Sequence, residues 1–222
     1  GFVKINVAAL LCCLLLQTAC TPPESSQTAQ KKGVVNLDLR NEQVQKLYNL
    51  RDQHQTDSLK GYFSSPNATL RYLAALSFAS LRDSNAIDAL APLLRDPVED
   101  VRNAAAFSLG QIGHGKAEKA LIQAFVATDS LSQHQRLNAI ILEAIGKCGT
   151  LQSLKNIAAV NTYRPTDTLL LEGQCRAIYR FGRRNITDPA ATARMVSYVA
   201  NEQIPAPARL MAAHYLARTL NI

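Results

Sequence analysis

The stretch that decides the fold is Asp96-Pro-Val-Glu-Asp-Val-Arg-Asn-Ala-Ala-Ala-Phe-Ser-Leu-Gly-Gln-Ile-Gly113. Its apolar residues follow one another at the spacing of one face of an α-helix. The residues of this face are Val101, Ala104, Ala105, Leu109 and Ile112. The same pattern occurs 31 residues earlier and again 36, 69 and 107 residues later. The chain therefore contains an internal helical repeat.

Each copy of the repeat has one apolar residue that marks its register. These residues are Phe78, Leu109, Ile145, Ile178 and Leu216. The fourth copy fits least well, because Gln174 stands at a core position. The stretches between the copies carry apolar stripes of their own, so each repeated helix, here named the second helix, is preceded by a first helix. The earliest first helix is predicted over residues 41–63, with a break near Gln55-Thr56.

One pair of such helices has too little apolar surface to close a core, so neighbouring pairs must stack. The sequence therefore predicts an all-α fold, a right-handed α-solenoid of about five helical hairpins over residues 37–222.

Local signals mark where the second helices begin and end. Asp96 and Ser65 each stand directly before a proline, an order that predicts a helix N-cap. The segments Gly110-x-x-Gly113 and Gly146-x-x-Gly149 are predicted to end helices, where glycine supplies a left-handed cap.

Composition agrees with helices that pack through small side chains. Hydrophobic residues make up 47% of the 222 residues and charged residues 18%, which argues against a disordered chain. Aromatic residues account for only 6%, which disfavours an all-β sandwich. The formal net charge is +7, and that charge alone would allow nucleic-acid binding. The sequence contains no glycine-rich phosphate loop.

The N-terminal residues predict export. The apolar run 7–16 is too short to span a bilayer, which takes about 20 helical residues, and small residues precede Cys20. This segment resembles a bacterial lipoprotein signal, although Gln17 departs from the usual aliphatic residue. Residues 1–19 are therefore predicted to be a signal peptide, and residues 20–36 a flexible tether. The alternative is an ordinary signal peptide with a chance cysteine.

The resemblance to lipoproteins implies that Cys20 carries lipid and anchors the protein to a membrane. Because Thr21 rather than Asp follows the cysteine, it also implies retention in the outer membrane of a bacterial cell envelope, facing either the periplasm or the cell surface.

The repeat resembles HEAT repeats. The resemblance rests on Asp96-Pro, Asp100-Val-Arg102 and Leu109-Gly-x-Ile-Gly113, with Pro92 in the first helix. It covers roughly residues 41 to 220. Membership would imply a helical solenoid in which Asp100 and Arg102 tie neighbouring repeats together.

A narrower resemblance concerns the runs Leu142-Glu-Ala-Ile-Gly-Lys-Cys-Gly149, Ile178-Tyr-Arg-Phe181 and Ala208-Arg-Leu-Met-Ala-Ala213. Together with the lipoprotein signal, these are similar to the N-terminal HEAT region of Bacteroidetes-type proteins in which a cyclophilin-type peptidyl-prolyl isomerase domain follows. The resemblance implies that any isomerase activity would reside beyond Ile222, because no cyclophilin catalytic motif occurs in these residues.

The sequence offers no candidate catalytic or metal site. The four histidines are scattered without HExxH or paired Cys/His spacing, so we expect no metal and no cofactor. Cys148 and Cys175 stand on opposite sides of equivalent register positions in adjacent repeats. Their axial offset of about 9 Å exceeds the reach of a disulfide, about 7 Å between Cα atoms, so both are predicted to be reduced core residues.

Arginine is the residue type that points to a function. Nine arginines fall on or beside second helices: Arg71, Arg102, Arg136, Arg176, Arg180, Arg183, Arg184, Arg209 and Arg218. In HEAT arrays that helix row lines the concave face, and a guanidinium recognises carboxylate or phosphate in a bidentate manner. Arg71, Arg102 and Arg209 share one register and are the candidate partner-binding residues. The alternative is a solvated row with no fixed partner.

These observations predict a membrane-anchored scaffold that binds or positions a protein partner through its second-helix face. The expected partner is a protein or an extended, acidic polypeptide, and nucleic acid is not expected for an exported lipoprotein. The alternative is the N-terminal part of a cyclophilin-type isomerase that presents substrate to a catalytic domain beyond Ile222.

Overall fold

The computed structural model describes residues 33–220, and every regular element among them is a helix. The α-helices are α1 (Glu42–Asp52), α2 (Thr56–Gly61), α3 (Ala68–Leu81), α4 (Ile87–Leu90), α5 (Glu99–Ile112), α6 (Glu118–Ala124), α7 (Gln135–Cys148), α8 (Leu151–Ala159), α9 (Thr168–Arg183), α10 (Pro189–Ala200) and α11 (Ala206–Thr219). Short 3₁₀ segments occupy Tyr62–Ser64, Ser84–Ala86, Ala91–Arg95 and Gly115–Ala117. None of the described helices is long and apolar enough to cross a membrane.

The predicted second helices are α3, α5, α7, α9 and α11, and they pack side by side in chain order. Each also packs against the first helix that precedes it, as α6 does against α7 and α10 against α11. The register residues Phe78, Leu109 and Ile178 have no exposed surface, whereas Leu216 in the last described helix is half-buried. The solenoid-like helical fold is thereby confirmed, while its handedness and its number of hairpins stay predictions.

The first hairpin contains the predicted break. Helix α1 ends at Asp52 and α2 begins at Thr56, and His54 between them has a left-handed φ of 56°. The segment before α1 is held to α3, because the backbone N–H of Asn36 donates to Oγ1 of Thr69 at 2.9 Å. The predicted signal peptide, Cys20 and the tether up to residue 32 lie outside the described residues.

The helix starts differ from the prediction by about two residues. The N-caps of α3 and α5 are Asn67 and Val98, and Ser65 and Asp96 lie in the turns before them. Asp96 accepts a hydrogen bond from the backbone N–H of Val98 at 2.9 Å. Its carboxylate therefore orders the turn in front of the helix, and both of its oxygens also accept hydrogen bonds from a side chain of α3.

Of the glycines predicted to end helices, only Gly113 forms a left-handed cap, with a φ of 68°. Gly149 is extended, and a Cβ there would lie 2.7 Å from the carbonyl oxygen of Ile145. Gly110 and Gly146 lie inside helices at equivalent positions. A Cβ at Gly146 would lie 2.6 Å from the carbonyl oxygen of Ala177, so this glycine lets α7 and α9 approach closely.

Gln174 fits the fourth repeat better than the sequence suggested. Its side chain is fully buried, and its amide donates to the carbonyls of Ile157 at 2.8 Å and Val160 at 3.0 Å. Its amide oxygen accepts a hydrogen bond from the hydroxyl of Tyr198 on α10. Gln174 thus provides hydrogen-bond donors for the carbonyl groups at the end of α8 and links that end to the next hairpin. These contacts explain a polar residue at a core position.

Cys148 and Cys175 are free and buried in the hydrophobic core, as the register predicted. Burial raises the pKa of the Cys148 thiol to about 11 and that of Cys175 to about 12. Neither thiol is a reactive thiolate at neutral pH, because reactivity requires a lowered pKa.

Polar contacts join the third and fourth hairpins at their turns. Glu118 on α6 accepts hydrogen bonds from the backbone N–H of Thr150 at 2.7 Å and from Oγ of Ser153 at 2.6 Å, and so caps α8. Arg184, just after α9, donates to the carbonyls of Gly146 at 3.2 Å and Gly149 at 2.9 Å at the end of α7. Burial alone would raise the pKa of Glu118, but these hydrogen bonds outweigh it and hold the pKa below its usual value.

Candidate binding surface

Arg71 lies inside the stack and not on a surface. Its guanidinium makes a bidentate pair with Asp96, at 2.7 Å from Nε and 2.9 Å from Nη2, and neither side chain is more than 3% exposed. Its Nη1 also donates to the carbonyls of Ser65 and Pro66 at 2.9 and 3.3 Å. This position differs from the partner-binding role predicted for Arg71, because its ion pair joins α3 to the next hairpin and its other two contacts lie in the turn before α3.

Arg102, one hairpin later, makes two carbonyl contacts equivalent to those of Arg71. Its Nη1 donates to the carbonyls of Asp96 at 2.8 Å and Pro97 at 3.2 Å, the same six- and five-residue offsets that Arg71 uses. In α3 and α5, the arginine at this register therefore donates to the turn that precedes its own helix. Asp100, which the family resemblance placed in a tie between repeats, is exposed. In this protein Asp96 makes that tie.

The same register is occupied differently in the later hairpins. In α7 it holds Asn138, which exchanges two hydrogen bonds of 2.9 Å with the backbone of Val126. In α11 it holds Arg209, which is half-buried and whose Nε has no hydrogen-bond partner among residues 33–220. Arg71 and Arg102 therefore meet at Asp96, at its carboxylate and its carbonyl, whereas no hydrogen bond among residues 33–220 joins Arg209 to either.

Three other cations do come together, around Glu143 on α7. Its Oε1 accepts two hydrogen bonds from Arg180 on α9, at 2.9 and 2.7 Å. The same carboxylate lies 3.5 Å from Nζ of Lys147 and 3.8 Å from Arg176. Arg176 also pairs with Glu172 at 2.6 Å. We name Glu143, Lys147, Glu172, Arg176 and Arg180 the charged cluster.

The charged cluster carries more positive than negative groups, three cations to two carboxylates. Burial alone would raise the pKa of Glu143, but Lys147, Arg180 and Arg176 outweigh it and hold the pKa below its usual value. Burial lowers the pKa of Lys147, and Glu143 opposes that change. The side chain of Arg176 is 40% exposed, so the cluster faces solvent and can meet a ligand.

A cavity of about 270 Å³ opens beside the charged cluster, between α7 and α9. Its apolar lining consists of Ala139, Ile140, Leu169 and Gly173, and its rim carries Arg136, Glu143, Glu172 and Arg176. An apolar floor with charged groups at its edge is the usual composition of a binding pocket.

Part of the repeat region matches a known family model. Residues 56–141, from α2 into α7, match the family model of HEAT repeats, and the Arg71–Asp96 pair lies within that match. HEAT repeats generally serve as scaffolds for protein–protein interaction. No curated protein significantly matches the chain.

Sequence reasoning found only part of the charged cluster. Arg176 and Arg180 were among the nine arginines, but Glu143 and Lys147 were not singled out. The available signal was their spacing, since Glu143 and Lys147 stand four residues apart on one face of α7. Their meeting with α9 depends on how the second helices align, which the repeat register alone does not define.

Proposed function

We propose that this protein is a scaffold that binds an acidic polypeptide on the exposed side of α7 and α9. One observation carries the proposal. The carboxylate of Glu143 is shared by Lys147, Arg176 and Arg180, and Glu172 is the only other carboxylate of the charged cluster, so that three cations face two carboxylates on a solvent-facing surface. A carboxylate brought by a partner would be attracted to that excess, and guanidinium groups bind carboxylates in bidentate geometry.

Two of the arginines predicted from the sequence remain within this proposal. Arg102 and Arg209 keep part of their surface exposed, so each can add a contact to an extended partner. Arg71 stays out of it, because its guanidinium is enclosed between hairpins.

The acidic-peptide proposal is tested by fluorescence anisotropy with the full chain. The probes are a fluorescein-labelled 12-residue peptide rich in Glu and its Lys-rich counterpart. We expect the Glu-rich peptide to bind and the Lys-rich peptide not to bind, with an affinity that falls as salt rises because salt screens exposed charges. The double variant Arg176→Ala/Arg180→Ala should weaken binding by about ten-fold or more, since each charge-assisted hydrogen bond contributes about 1.5–3 kcal/mol.

The matched control removes the same charge elsewhere. Lys119 and Lys155 are exposed on the first helices α6 and α8, so Lys119→Ala/Lys155→Ala should bind the Glu-rich peptide nearly as the unmodified chain does. Thermal unfolding by circular dichroism shows whether both variants remain folded. Equal losses in the two double variants, or no binding of the Glu-rich peptide, would contradict the proposal.

We further propose that lipid on Cys20 anchors this scaffold in the outer membrane of a bacterial envelope. The support is the sequence around Cys20, and several acyl chains on one residue hold a domain firmly, at about 0.8 kcal/mol per buried CH₂. In a Gram-negative host fed labelled palmitate, the full chain should incorporate label and Cys20→Ser should not. Cys12→Ser, which changes a cysteine within the predicted signal, is the control. Label retained by Cys20→Ser would overturn the anchor.

The isomerase alternative concerns residues beyond Ile222 and stays a prediction. Reading the genomic sequence past that codon tests it directly, since a cyclophilin domain would support the alternative and a capping repeat followed by a stop would exclude it.

A further inference from the structure

The cavity between α7 and α9 has a floor made by two small residues. A Cβ at Gly173 would lie 2.8 Å from Cα of Ala139, so the two helices nearly touch there. Ile140 and Leu169 stand as walls on either side. Leu169 is an apolar side chain that is 40% exposed at the mouth of an apolar space. Contact with a partner would remove that surface from water, which is favourable.

Arg136 is the available cation at the rim. It is exposed, and among residues 33–220 it makes neither a hydrogen bond nor an ion pair. Arg176, by contrast, is held by Glu172 at 2.6 Å. Arg136 precedes Ile140 by one helical turn on α7, so its guanidinium and the apolar wall share one face of the helix.

The size of the cavity limits what it can accept. Pockets that hold whole drug-sized ligands or cofactors measure about 300–1,000 Å³, whereas this cavity measures about 270 Å³ and is open to solvent. A single apolar side chain that enters from an extended chain fits such a space. The neighbouring free guanidinium then selects a chain that carries a carboxylate beside that side chain.

We propose that this cavity receives an apolar side chain of the acidic polypeptide, next to a carboxylate that Arg136 binds. The inference rests on the proposed function and adds a sequence preference to it. The partner segment combines one large apolar residue, such as Leu, with acidic residues on either side. The apolar residue sets the register of the segment on the scaffold, and Arg136 fixes the adjacent carboxylate.

The test compares two fluorescein-labelled peptides with identical Glu content, one with a central Leu and one with a central Ala. We expect the Leu peptide to bind the full chain about ten-fold more tightly, because burial of a Leu side chain contributes enough free energy for such a factor. Leu169→Asp should abolish this preference, since it places a charge at the mouth of the cavity. Arg136→Ala should weaken binding of the Leu peptide by about ten-fold.

Arg183→Ala provides the matched control, because Arg183 is exposed on α9 and lies outside the cavity lining. It should leave the Leu preference and the affinity within about two-fold of the unmodified chain. The two variants should differ because a hydrogen bond from Arg136 to a bound carboxylate contributes to the binding free energy. An exposed charge that contacts no part of the peptide contributes little.

The outcomes separate this inference from the proposed function. If both peptides bind equally and still depend on Arg176 and Arg180, the cavity inference is overturned while the acidic-polypeptide scaffold stands. Equal effects of Arg136→Ala and Arg183→Ala also overturn it. If neither peptide binds, the proposed function fails, and the cavity inference fails with it. Circular dichroism of Leu169→Asp and Arg136→Ala verifies that the helices are retained.

Discussion

Arg71→Ala is expected to lower the free energy of unfolding by about 3–5 kcal/mol, the usual cost of leaving one partner of a buried ion pair alone. Asp96 would keep its charge in a site where its side chain is only 3% exposed, and the Arg71 guanidinium that compensates it would be gone. The carbonyls of Ser65 and Pro66 would lose their donor in the same variant. The substitution therefore uncouples the first two hairpins.

Urea denaturation followed by circular dichroism measures this effect, and a double-mutant cycle isolates the pair. Asp96→Ala in the Arg71→Ala background should cost far less than Asp96→Ala alone, because no unpaired charge remains. Arg71→Lys should lower the free energy of unfolding by less than Arg71→Ala does. An ammonium group keeps the positive charge beside Asp96 but loses the bidentate geometry. Arg95→Ala, at an exposed position, should change stability by no more than about 0.5 kcal/mol. Additive single-variant effects in the cycle would show that the pair is uncoupled.

Gly146→Ala and Gly61→Ala are expected to change stability in opposite directions. A Cβ at Gly146 would lie 2.6 Å from the carbonyl oxygen and 2.7 Å from Cα of Ala177. Backbone atoms cannot move aside as a flexible side chain can, so α7 and α9 would separate. We expect a loss of about 1–3 kcal/mol, the usual cost of an overpacked core.

Gly61 supplies the matched control, because it is exposed in α2 and has no atom within 4 Å of its added Cβ. Alanine there should stabilise the chain by roughly 0.5–1 kcal/mol, since it restricts the unfolded state more than glycine does. Thermal unfolding midpoints of the two variants give the comparison. A higher midpoint for Gly146→Ala would falsify the close approach of the two helices.

The apolar spacing of the second helices predicted most of the fold. Positions such as Phe78 and Leu109 recur because each hairpin buries the same face against its neighbours. The break near Gln55-Thr56 was also predicted, and α1 ends at Asp52 while α2 begins at Thr56. Periodicity records which face is buried, and that is enough to place helices in a stack.

Side-chain partners were less predictable, as Arg71 shows. Periodicity does not distinguish the fully buried Arg71 from Arg102 and Arg209, which stand at the same register and are only partly buried. The difference arises from Asp96, which is 25 residues away in the next hairpin and reaches Arg71 only after the two hairpins stack. The glycines gave a similar result, since Gly110 and Gly146 looked like helix ends but are sites of close helix contact.

The candidate site could be predicted only in outline. Arginine on the second helices indicated a basic face, and Arg176 and Arg180 do lie in the charged cluster. The cavity with Arg136 at its rim was not predicted, because it exists only where α7 and α9 meet over Ala139 and Gly173. How far one helix is shifted along its neighbour depends on how their side chains pack. The apolar spacing within each helix does not indicate that shift.

The hydrogen bonds of Glu118 and Arg184 at the turns bear on how this array responds to mechanical load. Solenoids flex like springs when each hairpin slides slightly against the next. Here Glu118 accepts hydrogen bonds at the start of α8, and Arg184 donates to a carbonyl at the end of α7. Sliding at this level would break charge-assisted bonds as well as apolar contacts. Because Arg184 links the segment after α9 to the end of α7, its hydrogen bonds oppose a change in the spacing of these two helices. A ligand that entered between them would meet an opening that these bonds already hold.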